Sequence, residues 1–530
     1  MAKPSYTAEE AGAQIIRDGY SWGYTQGDPV AVSYAFRVDQ PAYNNSSNVY
    51  GTFSPFNSVQ IAAATTALEL WSDAANITFV PEGTGSAPYG DSAAILFGNY
   101  SANDGAAAFA YLPSPSKTAG DDPEGDVWVN RYYGGFTPYD GNYANLAMIH
   151  EIGHAIGLGH PGDYDAMAGV SITYSNSAEY LQDTRQYTVM SYFSAGNTGA
   201  DHGGIYASTP LMHDIVALQM LYGANYDTRS EGNVYGFNSN AGSAYRVATA
   251  QDQIIFSVWD GGGIDAFNFS GYASNQRIDL REESFSNVGN LTDNVSIAPG
   301  VTIENAVAGR GDDWVTGNDA DNKLFGLAGN DILVGHDGDD FIQGHSGHDR
   351  LYGGLGEDRL VGSGGFDWLF GGADNDVLIG GYGSDVLQGG TGDDMLYGGT
   401  GNDRLFGGIG DDILVGGPQR DILVGGAGAD VFDFNAIGHS RAGSQRDVIT
   451  DFETGIDLID LSSIDAKTGA GNHAFNWIGG QNFHGVKGEI HYKLVGEHAL
   501  VEGDIDGDGK ADLQIVVMNK SGLSDSDFLL

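Results

Sequence analysis

The 530-residue chain contains no cysteine, which excludes a disulfide framework, a thiol nucleophile and a thiolate metal site. It has no apolar run of 18 residues or more, so no membrane-spanning helix or membrane insertion is expected. Basic side chains are scarce: 23 Lys and Arg stand against 70 Asp and Glu, for a formal net charge of −47. Such an excess repels nucleic acid and anionic surfaces. Crowded carboxylates instead invite a hard cation such as Ca²⁺. The N-terminal stretch MAKPSYTAEEAGAQIIRDGY lacks the apolar core of a signal peptide. Thr7 and Glu10 there form a capping box that opens a helix.

Residues 1–250 read as a mixed α/β domain. The alanine-rich segment 58–76 predicts a helix with Leu68 and Trp71 on one face. Strand-like runs follow at Ile77–Val80, Ala93–Phe97, Ala107–Leu112 and Asp126–Val129. A further helix carries LAMIHEIGHAIG, in which Leu146, Ile149, Gly153 and Ile156 share a face. Residues 170–205 are loop-like, and 208–222 predict another helix.

The segment HEIGHAIGLGH at 150–160 carries the chemistry. Histidines four apart on a helix project side by side, so His150 and His154 can reach one ion. Gly157 can take positive φ and end the helix in a sharp turn that brings His160 back as a third ligand. Three neutral nitrogens leave a position for water, the mark of a catalytic zinc site rather than a closed structural one. Glu151 faces away from His150 and is better placed over that water, as general acid/base, than on the metal.

Glycine is abundant, at 82 residues, and much of it falls in fourteen consecutive nine-residue units from Ala308 to Asp433. The pattern is G-G-x-G-x-D-x-U-x, with U large and apolar in every unit from Val315 to Phe432. A flexible linker would not hold that register. Two units make one coil of a right-handed parallel β-roll, stacking residue i on residue i+18, and Ca²⁺ fits between stacked turns. The candidate calcium ligands are Gly309, Gly311 and Asp313; Gly326, Ala328 and Asp331; Gly335, Asp337 and Asp340; Gly344, Ser346 and Asp349; Gly353, Leu355 and Asp358; Gly362, Gly364 and Asp367; Asp376; Gly380, Tyr382 and Asp385; Gly389, Thr391 and Asp394; Gly398, Thr400 and Asp403; and Gly407, Ile409 and Asp412. The pattern weakens at Asn322, at Asp374 and at Pro418-Gln419-Arg420. Without calcium the aligned carboxylates repel, so the roll is expected to fold only with the ion. A β-rich segment runs from about 434 to 530. Within it DIDGDGKAD at 504–512 looks like a calcium loop but lacks the EF-hand glutamate.

The zinc motif resembles the metzincin clan, and TVMSY at 188–192 agrees with it. Met190 matches the methionine that lies beneath the metal in that clan. Tyr192 matches a tyrosine that can ligate zinc and swing to the oxyanion. The segments HPGDYDA (160–166), DTRQYTVMSYF (183–193), LYGANYDTR (221–229), YGFNSNAG (235–242), FSGYASNQRIDL (269–280) and VTIENAVAGRGDD (301–313) narrow the resemblance to the serralysins. That resemblance implies an α+β, zincin-like (metzincin) catalytic domain over 1–250. An all-β right-handed parallel β-roll domain over 251–530 follows, with a secretion signal near 480–530. It implies a secreted, broad-specificity zinc endopeptidase of a Gram-negative bacterium, monomeric, with protein and peptide substrates. It also implies calcium sites at Arg229, Glu231, Asn233, Asp260, Gly262, Gly263 and Asp265, and at Thr302 and Glu304. The terminal SDSDFLL matches the family's uncleaved signal for an ABC-type exporter, and a short propeptide before Thr7 is expected. The competing reading is a calcium-dependent adhesin with an idle zincin domain; the intact Glu151, three histidines, Met190 and Tyr192 speak against it.

Overall fold

The computed structural model describes residues 3–41, 43, 52–83, 87–114, 122–132, 137–138, 141–164, 171–467 and 473–530. Asp165 and Ala166 of the HPGDYDA segment lie outside these. The chain divides into two compact units, one of residues 1–268 with 281–303, the other of 269–280 with 304–530.

The first unit begins with helix α1 (Ala8–Ile15), whose Thr7–Glu10 capping box is formed. Strand β1 (Val30–Phe36), helix α2 (Ser58–Ala74) and strands β2 (Ile77–Pro81), β3 (Ile95–Tyr100), β4 (Ala108–Ala110) and β5 (Val127–Asn130) follow. The sheet runs β2-β1-β3-β5-β4. All its pairings are parallel except β4 with β5, so β4 is an antiparallel strand at an edge. Its inner strands β3 and β5 are buried throughout. Helix α3 (Tyr143–Ala155) carries the histidine motif and packs on α2, where the Trp71 indole donates to Ile149 O at 3.2 Å. Among its described residues, the segment expected as loop contains only the short helix α4 (Tyr174–Ser177) and one 3₁₀ turn, Ala195–Asn197. Helix α5 (Met212–Tyr222) packs on α1 through Met212, Val216 and Ala8. Gly12 permits that approach, since a Cβ there would meet Val216 Cγ1 at 2.9 Å.

The second unit is dominated by two parallel sheets with an 18-residue register. In one, Leu324, Ile342, Leu360, Leu378, Leu396 and Leu414 pair in succession. In the other, Leu333, Leu351, Leu369, Leu387, Leu405 and Leu423 do so. All fourteen apolar repeat positions are fully buried. A buried aliphatic side chain stabilises by about 1.5–3 kcal/mol, so these ladders are the core of the unit. The turns demand the left-handed backbone: Gly329 has φ +134°, and a Cβ there would meet Gly311 O at 1.9 Å. Asp374 and Gln419 hold the same region at +75° and +89° in the weak units, at a cost of about 1–2 kcal/mol each. The sheets continue past the last repeat, with Leu423 on Ile449 and Phe432 on Ile459. The C-terminal residues form a final strand in which Phe528 pairs with Ile459.

Candidate metal centre

Asn142 caps α3 by accepting the Asn145 N–H at 2.8 Å, and the helix delivers His150 and His154 one turn apart. Gly157, with φ +110°, then reverses the chain against Tyr20, leaving no room for a Cβ. Two contacts fix the return: Gly159 N donates to Ile15 O at 2.8 Å, and Arg17 donates to His160 O at 2.6 Å. His160 thereby reaches His154, with their Nε2 atoms 3.1 Å apart. One ring nitrogen from each of the three histidines lies within 4.8 Å of the others.

The outer nitrogens fix the tautomers. His150 Nδ1 faces Val189 O at 2.8 Å and His154 Nδ1 faces Leu158 O at 2.7 Å, so each donates there and turns an Nε2 lone pair inward. Burial and the charges of His154 and His160 push His150 well below its usual pKa, keeping it neutral, as a ligand must be. Three convergent imidazoles suit zinc.

Behind the ligands lie two buried carboxylates that the sequence does not single out. Asp214 accepts from Val189 N at 2.8 Å, from Leu211 N at 2.9 Å and from the Thr188 hydroxyl. It thus holds the residue whose carbonyl orients His150. Asp183 accepts from the Tyr164 hydroxyl at 2.8 Å and from Ser191 at 2.7 Å. The Tyr164 ring stacks on His160, with centroids 5.3 Å apart. Met190 is fully buried against α3, its sulfur 2.7 Å from where a Gly153 Cβ would stand. Tyr192 is half-buried, its ring 4.5 Å from that of His160 and 5.8 Å from that of His150.

Glu151 lines a cleft of about 200 Å³ with His150, Tyr192, Tyr143 and residues 105–108, which include the first residue of β4. Burial pushes its carboxyl up to about 8. A buried carboxyl that exchanges its proton near neutral pH and an edge strand therefore share one cleft.

The repeat aspartates form a separate array. From Asp331 to Asp430 each accepts on Oδ1 from the backbone N–H of the residue 18 positions earlier, an aspartate in every case but Asn322, the donor to Asp340; Asp349 thus accepts from Asp331 at 2.9 Å. In the twelve from Asp331 to Asp430, Oδ2 is buried with no hydrogen-bond partner. These oxygens lie against bare glycine. The point where a Gly326 Cβ would stand is 2.3 Å from Asp331 Oδ2 and 3.0 Å from Gly344 O, and Gly335 repeats this with Asp340 and Gly353 O. A row of orphaned carboxylate oxygens beside backbone carbonyls fits Ca²⁺. The array outlasts the repeats, as Asp421 N donates to Asp447 and Asp430 N to Asp457.

Of the sites given only by resemblance, Asn233 presents its amide 3.1 Å from Arg229 O and 2.7 Å from Glu231 O. Its N–H donates to Asp265, while Asp260 accepts from Gly262 N and the Tyr235 hydroxyl. Thr302 is exposed and Glu304 half-buried. Asp504, Asp506 and Asp508 gather at the tip of the hairpin His498–Asp504/Leu513–Val517. Both Asp504 oxygens there are engaged by Gly507 N and Gly509 N.

Comparison with known proteins gives the ancestry. The sequence pattern described as Peptidase M10 serralysin C terminal matches residues 224–530. The chain is 46% identical over 331 residues to "Metalloprotease AprA" of Pseudomonas entomophila, covering 61% of this chain and 66% of that protein. It is 46% identical over 332 residues to "Metallopeptidase AprA" of Pseudomonas marginalis, covering 61% and 67%. It is likewise 46% identical over 334 residues to "Serralysin" of Proteus mirabilis, covering 61% and 66%. The match thus spans about two thirds of these relatives' length. No described helix is long and apolar enough to cross a membrane. With the repeat array and this breadth of match together, the chain belongs to the serralysin family of M10 peptidases.

Proposed function

We propose that the protein is a secreted zinc endopeptidase of broad specificity. Its catalytic domain, over residues 1–250, is of the metzincin type, and the 251–530 region contains a calcium-stabilised β-roll over repeats 308–433, followed by a C-terminal β segment. The observation that carries the reading is that three imidazoles converge, and that one of them, His150, lines a cleft with Glu151 and the first residue of the edge strand β4. His150, His154 and His160 would hold the ion through their Nε2 atoms, with the Tyr192 hydroxyl as a fourth protein contact. When bound, zinc supplies Lewis acidity, making a water acidic near neutral pH and polarising the scissile carbonyl.

A substrate lying extended beside β4 is held by main-chain hydrogen bonds, which read backbone more than side chains. Glu151 takes the proton of the attacking water on its carboxylate and passes it to the leaving nitrogen. Tyr192 donates a hydrogen bond to the oxyanion as the carbonyl becomes tetrahedral. Neighbouring Asp and backbone oxygens of the roll take calcium, including the Arg229–Asp265 and Thr302–Glu304 sites. Export through an ABC-type transporter, directed by the C-terminal segment, would let the roll fold where calcium is plentiful. The names of the relatives, a metalloprotease and a serralysin, support this reading, as does the unpartnered Oδ2 row. Casein digestion with and without a zinc chelator tests it. Activity that vanishes on chelation and returns with zinc is expected; activity that persists under chelation would overturn it.

A further inference from the structure

A second cavity, of about 350 Å³, adjoins the Glu151 cleft and shares three walls with it: Leu146, Arg185 and Val189. Much of its remaining lining is small or aliphatic, including Ala195, Ala200, Ile205 and Leu211. A substrate crossing Glu151 beside β4 therefore meets one hole into which a side chain next to the scissile bond can descend. The wall common to both spaces carries a cation. Arg185 Nε donates to Ser191 O at 3.1 Å, and the guanidinium lies over the Tyr206 ring, 5.7 Å from its centroid. These two contacts fix the plane of the group. They leave both Nη atoms with no hydrogen bond or ion pair among the described residues, in a chain with 70 Asp and Glu side chains. The other ionisable groups of the cavity do not answer this charge. Asp201 is exposed and accepts from Gly203 N at 3.0 Å, while His202 is held neutral by burial.

Resting on the peptidase reading above, we propose that Arg185 makes this cavity an acidic-side-chain subsite, selecting substrates with glutamate or aspartate beside the scissile bond. The apolar walls take the methylene stem, and the two Nη donors meet the carboxylate as a fork, the geometry that favours arginine over lysine. Glutamine fills the same volume and leaves the guanidinium uncompensated, so the Glu/Gln pair isolates the charge from the fit.

The test uses the full chain with zinc and calcium and a set of peptides of one sequence that carry Glu, Gln, Leu or Lys at either position flanking the cleavage point. The expected kcat/KM order is Glu over Gln by about tenfold, with Lys the poorest. In R185Q the Glu/Gln ratio falls to about one, and in R185K it is partly restored. A turnover-free readout accompanies it: E151Q protein binds the Glu peptide about tenfold tighter than the Gln peptide, and E151Q/R185Q does not discriminate. Cleavage of the Leu peptide with no Glu preference, or a Glu preference that R185Q retains, overturns the subsite and leaves the peptidase reading standing. If zinc-loaded wild type cleaves none of the peptides, the peptidase reading itself falls.

Discussion

Stripping calcium should make the roll sensitive to pH in a direction opposite to ordinary acid denaturation. The twelve aspartates from Asp331 to Asp430 have carboxyl groups pushed up from 3.8 to between about 6 and about 9, chiefly by burial. A raised folded-state pKa means that the folded roll holds protons the unfolded chain releases. Its contribution is thus fully present below about pH 4 and is lost as pH rises through the folded values. Each group is raised by at least two pH units, or about 3 kcal/mol when ionised without a counter-ion. A handful of ionised groups therefore offsets the whole stability of a domain, about 5–15 kcal/mol. Hydrogen exchange of peptides within 323–427 of the full chain, corrected for the intrinsic pH effect, reads this region alone. In chelator the roll should be protected near pH 4.5 and lose protection by pH 8, and calcium should flatten the profile. Protection that stays unchanged at pH 8 in chelator, or disappears on acidification, would refute the reasoning.

Asp214→Asn puts an amide where three donors expect a carboxylate; through Val189 and His150 it should weaken zinc binding by about 10–100-fold, measured by competition with a chromophoric chelator. Gly157→Ala forces a Cβ to within 2.3 Å of Tyr20 O at φ +110°. It should displace His160 and lower zinc content by metal analysis. Leu378→Ala empties a fully buried rung, so unfolding in calcium should be easier by about 2–5 kcal/mol in a denaturant titration.

The strand register and buried rungs of the repeat region were legible in the sequence because one period carries both the apolar residue and the carboxylate, and neither depends on distant chain. The histidine motif was legible for the same reason, being confined to one helix and one turn. Strand β1 leaves no clear mark in the sequence: its burial is irregular, and its place between β2 and β3 comes from parallel crossovers that local pattern does not encode. Asp183, Asp214 and Arg185 were invisible as site residues because their partners lie across loops, and an isolated Asp or Arg in a polar stretch gives no spacing signal. Asp374 and Gln419 show the converse, where the stacked register holds a turn that their own side chains disfavour.

The central claim of the proposed function is that Glu151 moves the proton and is not a ligand, while the three histidines, with the Tyr192 hydroxyl as a fourth contact, hold the metal. Zinc content and casein turnover measured together on Glu151→Gln test it most directly. One zinc per chain with turnover lowered by about 10³-fold is the predicted result. Turnover close to that of the unaltered protein, with zinc still bound, would contradict it.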